Sequence, residues 1–407
     1  MKVWHSSENP YPPAWTADPE TVRVTLPNRH FDPEVGARLI NEYLDQWALC
    51  DEVGLNIMVN EHHSTSTCLT ASVMLPLAIL ARETKKARLL ALGAAIGVRS
   101  DPLLVAEELS YIDVISHGRL EMGLVKGVAL ELTPASVNPA TLTERFWEAH
   151  DLVLKAMTSH DGPFNFEGDY FQYRNVNIWP RPYQQPHPAV WMTSFGPQST
   201  IAIADHDYKL CAGLIALGTK KIFDAYRARY AETGRPAPPV DNFGYLVLLG
   251  VGHTEAEGHA RLKKIKGHFE NNENVPAQFQ NPPGYAPVEL NVQMKRRGLK
   301  RSLFKTSRDG KQVNFVTASI PELIDAGAGI AGNPDQVFEQ IRDLYNYLGG
   351  FGNLLAMMQG GYLAHEDTQD NIRLFAKEVL PRLQELVPSQ SRESDQLDEI
   401  RRKAAAG

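Results

Sequence analysis

The 407-residue chain carries 41 basic and 48 acidic side chains, a formal charge of −7, and 43% hydrophobic residues. That much apolar material supports a large core and excludes disordered and fibrous classes, while an acidic balance without a basic cluster argues against nucleic acid as the main partner. No apolar run approaches the roughly 20 residues of a membrane span, the polar start after Met1-Lys2-Val3-Trp4 does not read as a signal peptide, and Cys50, Cys68 and Cys211 build no disulfide framework, so a cytoplasmic protein is expected.

In chain order, Lys2–His5 reads as a first strand. Asp32 and Pro33 then open a helix that Gly54 closes, with Val35, Leu39, Tyr43, Trp47 and Leu49 near helical spacing. Ile57-Met58-Val59 is a buried strand, about Ala71 to Thr84 a helix, and Ala87 to Val98 the next strand. Asp101-Pro102 repeats the cap-plus-proline device before a helix closed by Gly118. Leu120 to Val125 is strand and Thr143 to Met157 helix. Strands near Ala189–Thr193, Tyr208–Gly213, Tyr245–Val251 and Asn353–Gln359 follow, with helices near Pro197–Ala204, Thr219–Glu232, Glu255–Glu270 and Glu366–Leu386. About eight strand–helix pairs imply a parallel sheet closed into a (β/α)8 TIM barrel, with an open doubly wound sheet as the competing topology.

Three segments depart from the alternation: Ser6–Asn28, Gly162–Gln185 (a hairpin of Phe164-Asn165-Phe166 and Tyr170-Phe171-Gln172-Tyr173) and Asn271 to about Ile324. One domain is expected over residues 1–388, with 271–324 a lid insertion at the carboxyl face and 389–407 an exposed tail.

Asn60-Glu61-His62-His63 stands directly after the second strand, where barrel residues point into the open mouth. A histidine there exchanges a proton near neutral pH, and Glu61 orients it or balances its charge; the plainer reading is a strand-end pair satisfied by backbone and water. Adjacent His62 and His63 diverge on an extended segment, and no His-x-x-x-His or Cys-x-x-Cys occurs, so no metal is expected. Leu92 to Gly97, with Gly93, Ala94 and Ala95, is small enough for a flat ring to lie against its backbone, or for tight barrel packing. Lys126 ends the fourth strand, to meet a phosphate or to be a solvated charge. Thr193 to Ser199 joins the fifth strand to a helix, as an anion site or an ordinary cap by Ser194. Phosphate-loop, dinucleotide and nucleophile-elbow signatures are lacking.

These landmarks resemble the bacterial luciferase-like flavin monooxygenases. They run in family order: Glu61-His62-His63; Asp101-Pro102 through Ala106-Glu107-Glu108, Ile112-Asp113, Gly118-Arg119-Leu120 and Lys126-Gly127; Pro186-x-Pro188 through Trp191 to Ser194 and Pro197-Gln198-Ser199; and Gly332-Asn333-Pro334, Gly360-Gly361 and His365-Glu366. The resemblance implies a barrel that binds reduced FMN at its carboxyl mouth. O2 is the co-substrate, and a flavin C4a-(hydro)peroxide oxidises a hydrophobic small molecule. It also implies a separate flavin reductase and a homodimer. His62 matches the family's catalytic histidine, with Glu61 and His63 its neighbours. Lys126 falls where a phosphate-binding Arg is frequent, and Ser194, Phe195 and Ser199 lie near the phosphate. Gly93, Ala94 and Ala95 lie near the isoalloxazine edge, and Val125 replaces luciferase's reactive cysteine. No aromatic follows Lys126-Gly127, where many relatives carry Tyr, and the turn after Gly93 is about two residues shorter. A deazaflavin-dependent hydride-transfer enzyme and a non-catalytic flavin-binding barrel are the alternatives on this fold. Tyr11, Trp15, Trp179, Phe279 and Tyr285 suggest an apolar substrate.

Overall fold

The structure, a computed structural model, describes residues 1–18, 21–272, 275–286, 288, 292 and 304–388. The capping signals work as the sequence suggests. Asp32 accepts from the amides of Glu34 and Val35 at 2.8 and 3.2 Å, opening the helix Pro33–Val53, and Gly54 ends it at φ 83°. Asp101 accepts from the Leu104 amide at 3.1 Å and opens Pro102–Ile115.

The strands are β1 (Lys2–Ser7), β2 (Asn56–Val59), β3 (Leu89–Ala94), β4 (Leu120–Leu124), β5 (Phe164–Glu167), β6 (Gln172–Val176), β7 (Val190–Thr193), β8 (Lys209–Gly213), β9 (Phe243–Val251), β10 (Phe304–Thr306), β11 (Gln312–Asn314), β12 (Gly329–Gly332) and β13 (Asn353–Gln359). Eight of them form a closed parallel ring in the order β1-β2-β3-β4-β7-β8-β9-β13, because β13 pairs with both β9 and β1. That closure excludes the open sheet. β5 and β6 form the expected antiparallel hairpin.

Period-two alternation sorts the side chains. Trp4, Met58, Leu90, Leu92, Trp191, Cys211 and Leu355 fill the lumen, while Val3, Ile57, Val59, Leu89 and Ala91 pack outward under the helices. The lumen's amino end is sealed by paired charges. Glu121 takes Arg88 Nε at 2.5 Å, Lys209 Nζ at 3.1 Å and Trp191 Nε1 at 2.5 Å, and Lys209 also meets Asp241 at 2.8 Å. A cavity of about 650 Å³ lies at this amino end, bordered by Met1, Lys2, Asn56 and Asp241, at the opposite ends of the strands from His62.

Several expectations are corrected. β3 ends at Ala94, not Val98, because the chain turns back there, with the Val98 amide bonding the Ala95 carbonyl at 3.0 Å. The second helix begins at Met74 rather than Ala71, and the last one divides into His365–Glu378 and Leu380–Leu386 around Pro381, which supplies no amide. A ninth strand, β12, pairs with the carboxyl half of β9 and leads into the helix Pro334–Tyr347. Three of its four residues, Gly329, Ala331 and Gly332, are small for a packing reason. A Cβ on Gly258 would sit 2.4 Å from the Gly332 carbonyl oxygen, so this contact lets the helix Glu255–Asn272 lie directly on β12. Part of the expected lid is packed structure: β10, β11 and the helix Ile320–Asp325, opened by Ser319, bury Val313, Phe315, Ala318 and Leu323 against Leu248, Leu262 and Ile265. Most of the basic stretch Lys295–Lys305, and the tail 389–407, lie outside the described residues.

Candidate active site

β2 delivers Asn60, Glu61, His62 and His63 at its carboxyl end, and the side chains diverge. Glu61, fully buried, accepts from the Val73 amide at 2.9 Å, the Ala95 amide at 3.0 Å and Arg99 Nη2 at 2.7 Å, with His63 Nε2 at 3.9 Å. Burial pushes its carboxyl upward, but His63, the Arg99 charge and the two amides outweigh that and hold it at about 2. Glu61 is thus a fixed anion that ties the end of β3 to the start of the next helix. It does not touch His62.

His62 turns the other way. Its Nδ1 lies 2.9 Å from Glu131 Oε1 and its Nε2 lies 3.8 Å from Glu8 Oε2, with the side chain 26% exposed. Burial alone would lower its pKa; the hydrogen bond to Glu131 and the charges of Glu131 and Glu8 reverse this and raise it above the ordinary histidine value, against a smaller opposing effect of Arg23. With Nδ1 committed to a carboxylate, Nε2 is the ring atom that gains and loses the titrating proton.

Two partners of His62 are missing from the sequence reading. Glu131 sits on the short helix Ala129–Leu132 after β4, buried, with Oε2 accepting from the Val128 amide at 3.1 Å. Burial raises its carboxyl, but the bond and charge of His62 and the Val128 amide bring it below the usual range. Glu8 follows β1 and takes the Asn60 amide group at 2.7 Å. Its Oε2 also lies 3.9 Å from Nε2 of His268, a buried residue of the helix Glu255–Asn272. Strand-end logic applied to β1, as it was to β2, points to Glu8, which directly follows Ser7, whereas Glu131 lies on a helix beyond the end of β4.

The remaining predicted residues follow round the ring. Gly93, Ala94 and Ala95 end β3, beside Val125 after β4; the Val125 amide donates to the Ala94 carbonyl at 3.0 Å, and a Cβ on Gly93 would fall 2.6 Å from Val125 Cγ1. Lys126 is exposed. After β7, the buried Ser194 hydroxyl lies 2.7 Å from Ser199 Oγ and 2.9 Å from Thr200 Oγ1. The helix Pro197–Asp205 starts at Gly196 without a side-chain cap and without an acidic residue in its first turn. Ser194 therefore does not act as the ordinary cap, and the start of the helix keeps amides for an anion. Phe195 is 92% exposed. Of the aromatics, Tyr11 is buried and accepts from the Asp32 amide at 2.8 Å, and Trp15 packs edge-on to Tyr362 with centroids 5.1 Å apart. Trp179 is exposed. Because β2, β3, β4 and β7 are consecutive in the ring, His62, Gly93–Ala95, Val125 and Ser194 stand along one continuous arc of the carboxyl end, with the Ala94 side chain buried in the outward core.

The uncapped helix with clustered hydroxyls suits the phosphate end of a flavin nucleotide, while the close approach of Val125 leaves no room for a side chain at Gly93. Among the described residues no group of three or more His, Cys, Asp or Glu is set to hold a metal, and no helix is long and apolar enough to cross a membrane.

The family described as luciferase-like monooxygenase matches residues 21–350. The FMNH2-dependent dimethylsulfone monooxygenase of Pseudomonas putida is 24% identical over 295 residues, covering 70% of this chain and 71% of that protein. The oxygenating constituent of 3,6-diketocamphane monooxygenase from Pseudomonas putida, a type II Baeyer–Villiger enzyme solved with FMN, superposes with a TM-score of 0.69 at 18% identity over 94% of this chain and 99% of that one. An F420-dependent secondary alcohol dehydrogenase superposes with a TM-score of 0.64 at 13% identity over 93% and 98%, which shows the shared barrel alone. With four fifths of its length inside the family match and a closed eight-stranded ring beneath it, the chain belongs to the luciferase-like monooxygenases.

Proposed function

We propose that the protein is the oxygenase of a two-component system. It receives reduced FMN from a separate flavin reductase, takes O2 as co-substrate and oxygenates a small, largely apolar organic molecule. The observation that carries this reading is His62, held by Glu131 on the same arc of the mouth as Gly93–Ala95 and the Ser194 cluster.

Reduced FMN, when bound, supplies the electrons that activate oxygen. The protein's own part is positioning and proton control. Ser194, Ser199 and the first amides of Pro197–Asp205 hold the phosphate, with Lys126 near the end of β4 adding charge. Gly93, Ala94, Ala95 and Val125 form the wall for the ring. Glu131 fixes the tautomer and direction of His62, whose Nε2–H donates to the reacting oxygen and takes the proton back; general acid–base roles of this kind are worth ~10²- to 10⁴-fold. His63 and Arg99 hold Glu61, which keeps β3 in place. Leu92, Leu246 and Met58 in the lumen beneath exclude water.

Anaerobic titration with reduced FMN and with reduced deazaflavin, followed by rapid mixing with O2, tests the assignment. Tighter binding of the flavin, and oxygen-dependent product lost in His62→Ala, are expected. Preferential binding of the deazaflavin, or full activity of His62→Ala, overturns it. We also propose a homodimer, supported by the exposed apolar residues Leu75, Ile79, Leu104, Tyr111 and Val114 on the packed helices Met74–Glu83 and Pro102–Ile115. Light scattering of Leu75→Glu reads this as a shift to monomer.

A further inference from the structure

Glu8 stands between two imidazoles. One oxygen, Oε2, lies 3.8 Å from Nε2 of His62 and 3.9 Å from Nε2 of His268, beyond direct hydrogen bonding to either, and its hydrogen bond comes from Asn60 at 2.7 Å. The two rings reach it from separate elements, His62 after β2 and His268 on the last turns of Glu255–Asn272. That helix end is itself anchored, since Asn272 Oδ1 accepts from Arg23 and, at 3.1 Å, from Thr67 Oγ1. His268 is buried against Trp15 and Phe269, and its Nδ1 has no hydrogen-bond partner.

We propose that Glu8 is a positioning residue for the proton chemistry of His62, and that it works as one counter-charge shared by His62 and His268, so that only one of the two rings is protonated at a time. This rests on the reading of His62 as the proton-bearing residue. The charge arithmetic follows from the neighbours. His62 faces Glu131, Glu8 and Arg23; His268 faces Glu8, Arg23 and His62; Glu8 faces both rings, Arg23 and the Cys68 thiol; Glu131 faces His62 and His63. His62 has two carboxylates against one guanidinium. His268 has one carboxylate, already balanced by Arg23 and His62, and burial takes it down to about 4. In the resting protein the shared charge therefore belongs to His62. Once His62 Nε2 gives its proton to a reacting oxygen, Glu8 loses that balance, and the affinity of His268 for a solvent proton rises. The second ring thereby limits the charge left in the mouth between turnovers.

Histidine-selective NMR titration of the full-length, unliganded protein tests the linkage without turnover. In Glu8→Gln the midpoint of His62 falls, with an expected loss of about tenfold in the charged-to-neutral ratio at fixed pH, one pH unit. In His62→Gln the midpoint of His268 moves up, because its like-charged neighbour is gone. A structural role for Glu8 predicts neither shift. If Glu8→Gln does not fold, Glu8→Asp, which withdraws the carboxylate, moves His62 in the same direction by less. An unmoved His268 midpoint in His62→Gln, or an unmoved His62 midpoint in the folded Glu8 variant, overturns the proposal. Turnover is read separately: the Glu8 variant shifts the pH profile of kcat with KM kept. Full activity of His62→Gln defeats the proton role of His62 while leaving the linkage to the titrations.

Discussion

Glu131→Gln removes the charge that holds His62. The amide has nearly the same volume and keeps one oxygen for Nδ1, but its NH2 then faces the Val128 N–H, so a neutral bond to His62 survives while the bond from Val128 is lost at a cost that does not vary with pH. A bond to a charged group is worth about 1.5–3 kcal/mol and a neutral one about 0.5–1.5 kcal/mol, so the substitution removes about 1–2 kcal/mol. At 1.36 kcal/mol per unit this lowers the pKa of His62 by about one unit. The same pair sets a stability window. The imidazole, raised in the fold, contributes fully below its ordinary value of 6.5 and stops contributing as pH rises through the raised value. The carboxylate, lowered in the fold, contributes fully above 4.5 and stops as pH falls through the lowered value. The penalty of Glu131→Gln is thus largest between pH 4.5 and 6.5. Urea unfolding at pH 5.5 and at a pH well above the His62 midpoint measures the difference, and the pH profile of kcat reads the shift toward lower pH. A penalty of equal size at both pH values, with an unshifted profile, refutes the argument.

Gly93→Ala places a methyl 2.6 Å from Val125 Cγ1 and 3.0 Å from the Gly123 carbonyl oxygen, so a loss of about 1–3 kcal/mol and weaker reduced-FMN binding are expected, with stability partly recovered in the double variant with Val125→Ala. Ser194→Ala with Ser199→Ala weakens FMN binding about tenfold, the scale of one charge-assisted hydrogen bond, and leaves riboflavin binding unchanged; equal loss for both ligands removes the phosphate assignment. Arg99→Met strips the buried Glu61 of its cation at a cost of about 2–4 kcal/mol. Since Glu61 is held at about 2 against an ordinary 4.5, that cost is full above pH 4.5 and fades as the pH falls through about 2, which acid unfolding curves measure.

The barrel ring was legible because a parallel strand covered on both faces is an apolar run, and all eight such runs stand in the sequence. β12 was not, since Gly329-Ile330-Ala331-Gly332 is shaped by contact with the helix Glu255–Asn272 rather than by strand preference. The Ser194–Ser199 cluster was legible because both hydroxyls belong to one strand-to-helix turn. Glu131 is 69 positions from His62, and their meeting depends on where β2 and β4 stop in the ring, which no local pattern encodes. His268 was hidden by its place on an amphipathic helix, where a lone histidine reads as packing. Glu61 was legible as a residue beside the histidines, but not which of them it meets: its carboxylate lies 3.9 Å from His63 Nε2 and is held by Arg99 and the Ala95 amide.

Three carboxylates surround the two histidines after β2, and their anchoring decides what each can do. Glu61 accepts from three donors and is frozen. Glu131 is bound at one oxygen by His62 and at the other by the Val128 amide, so it steers the ring without room to exchange partners. Glu8 has one short bond, from Asn60, and two imidazoles just beyond bonding distance. A group that must respond when His62 changes charge needs little fixed structure and several weak claims on it, and of the three only Glu8 meets that condition. Glu131 therefore sets where the proton is held, and Glu8 sets how the mouth absorbs its loss.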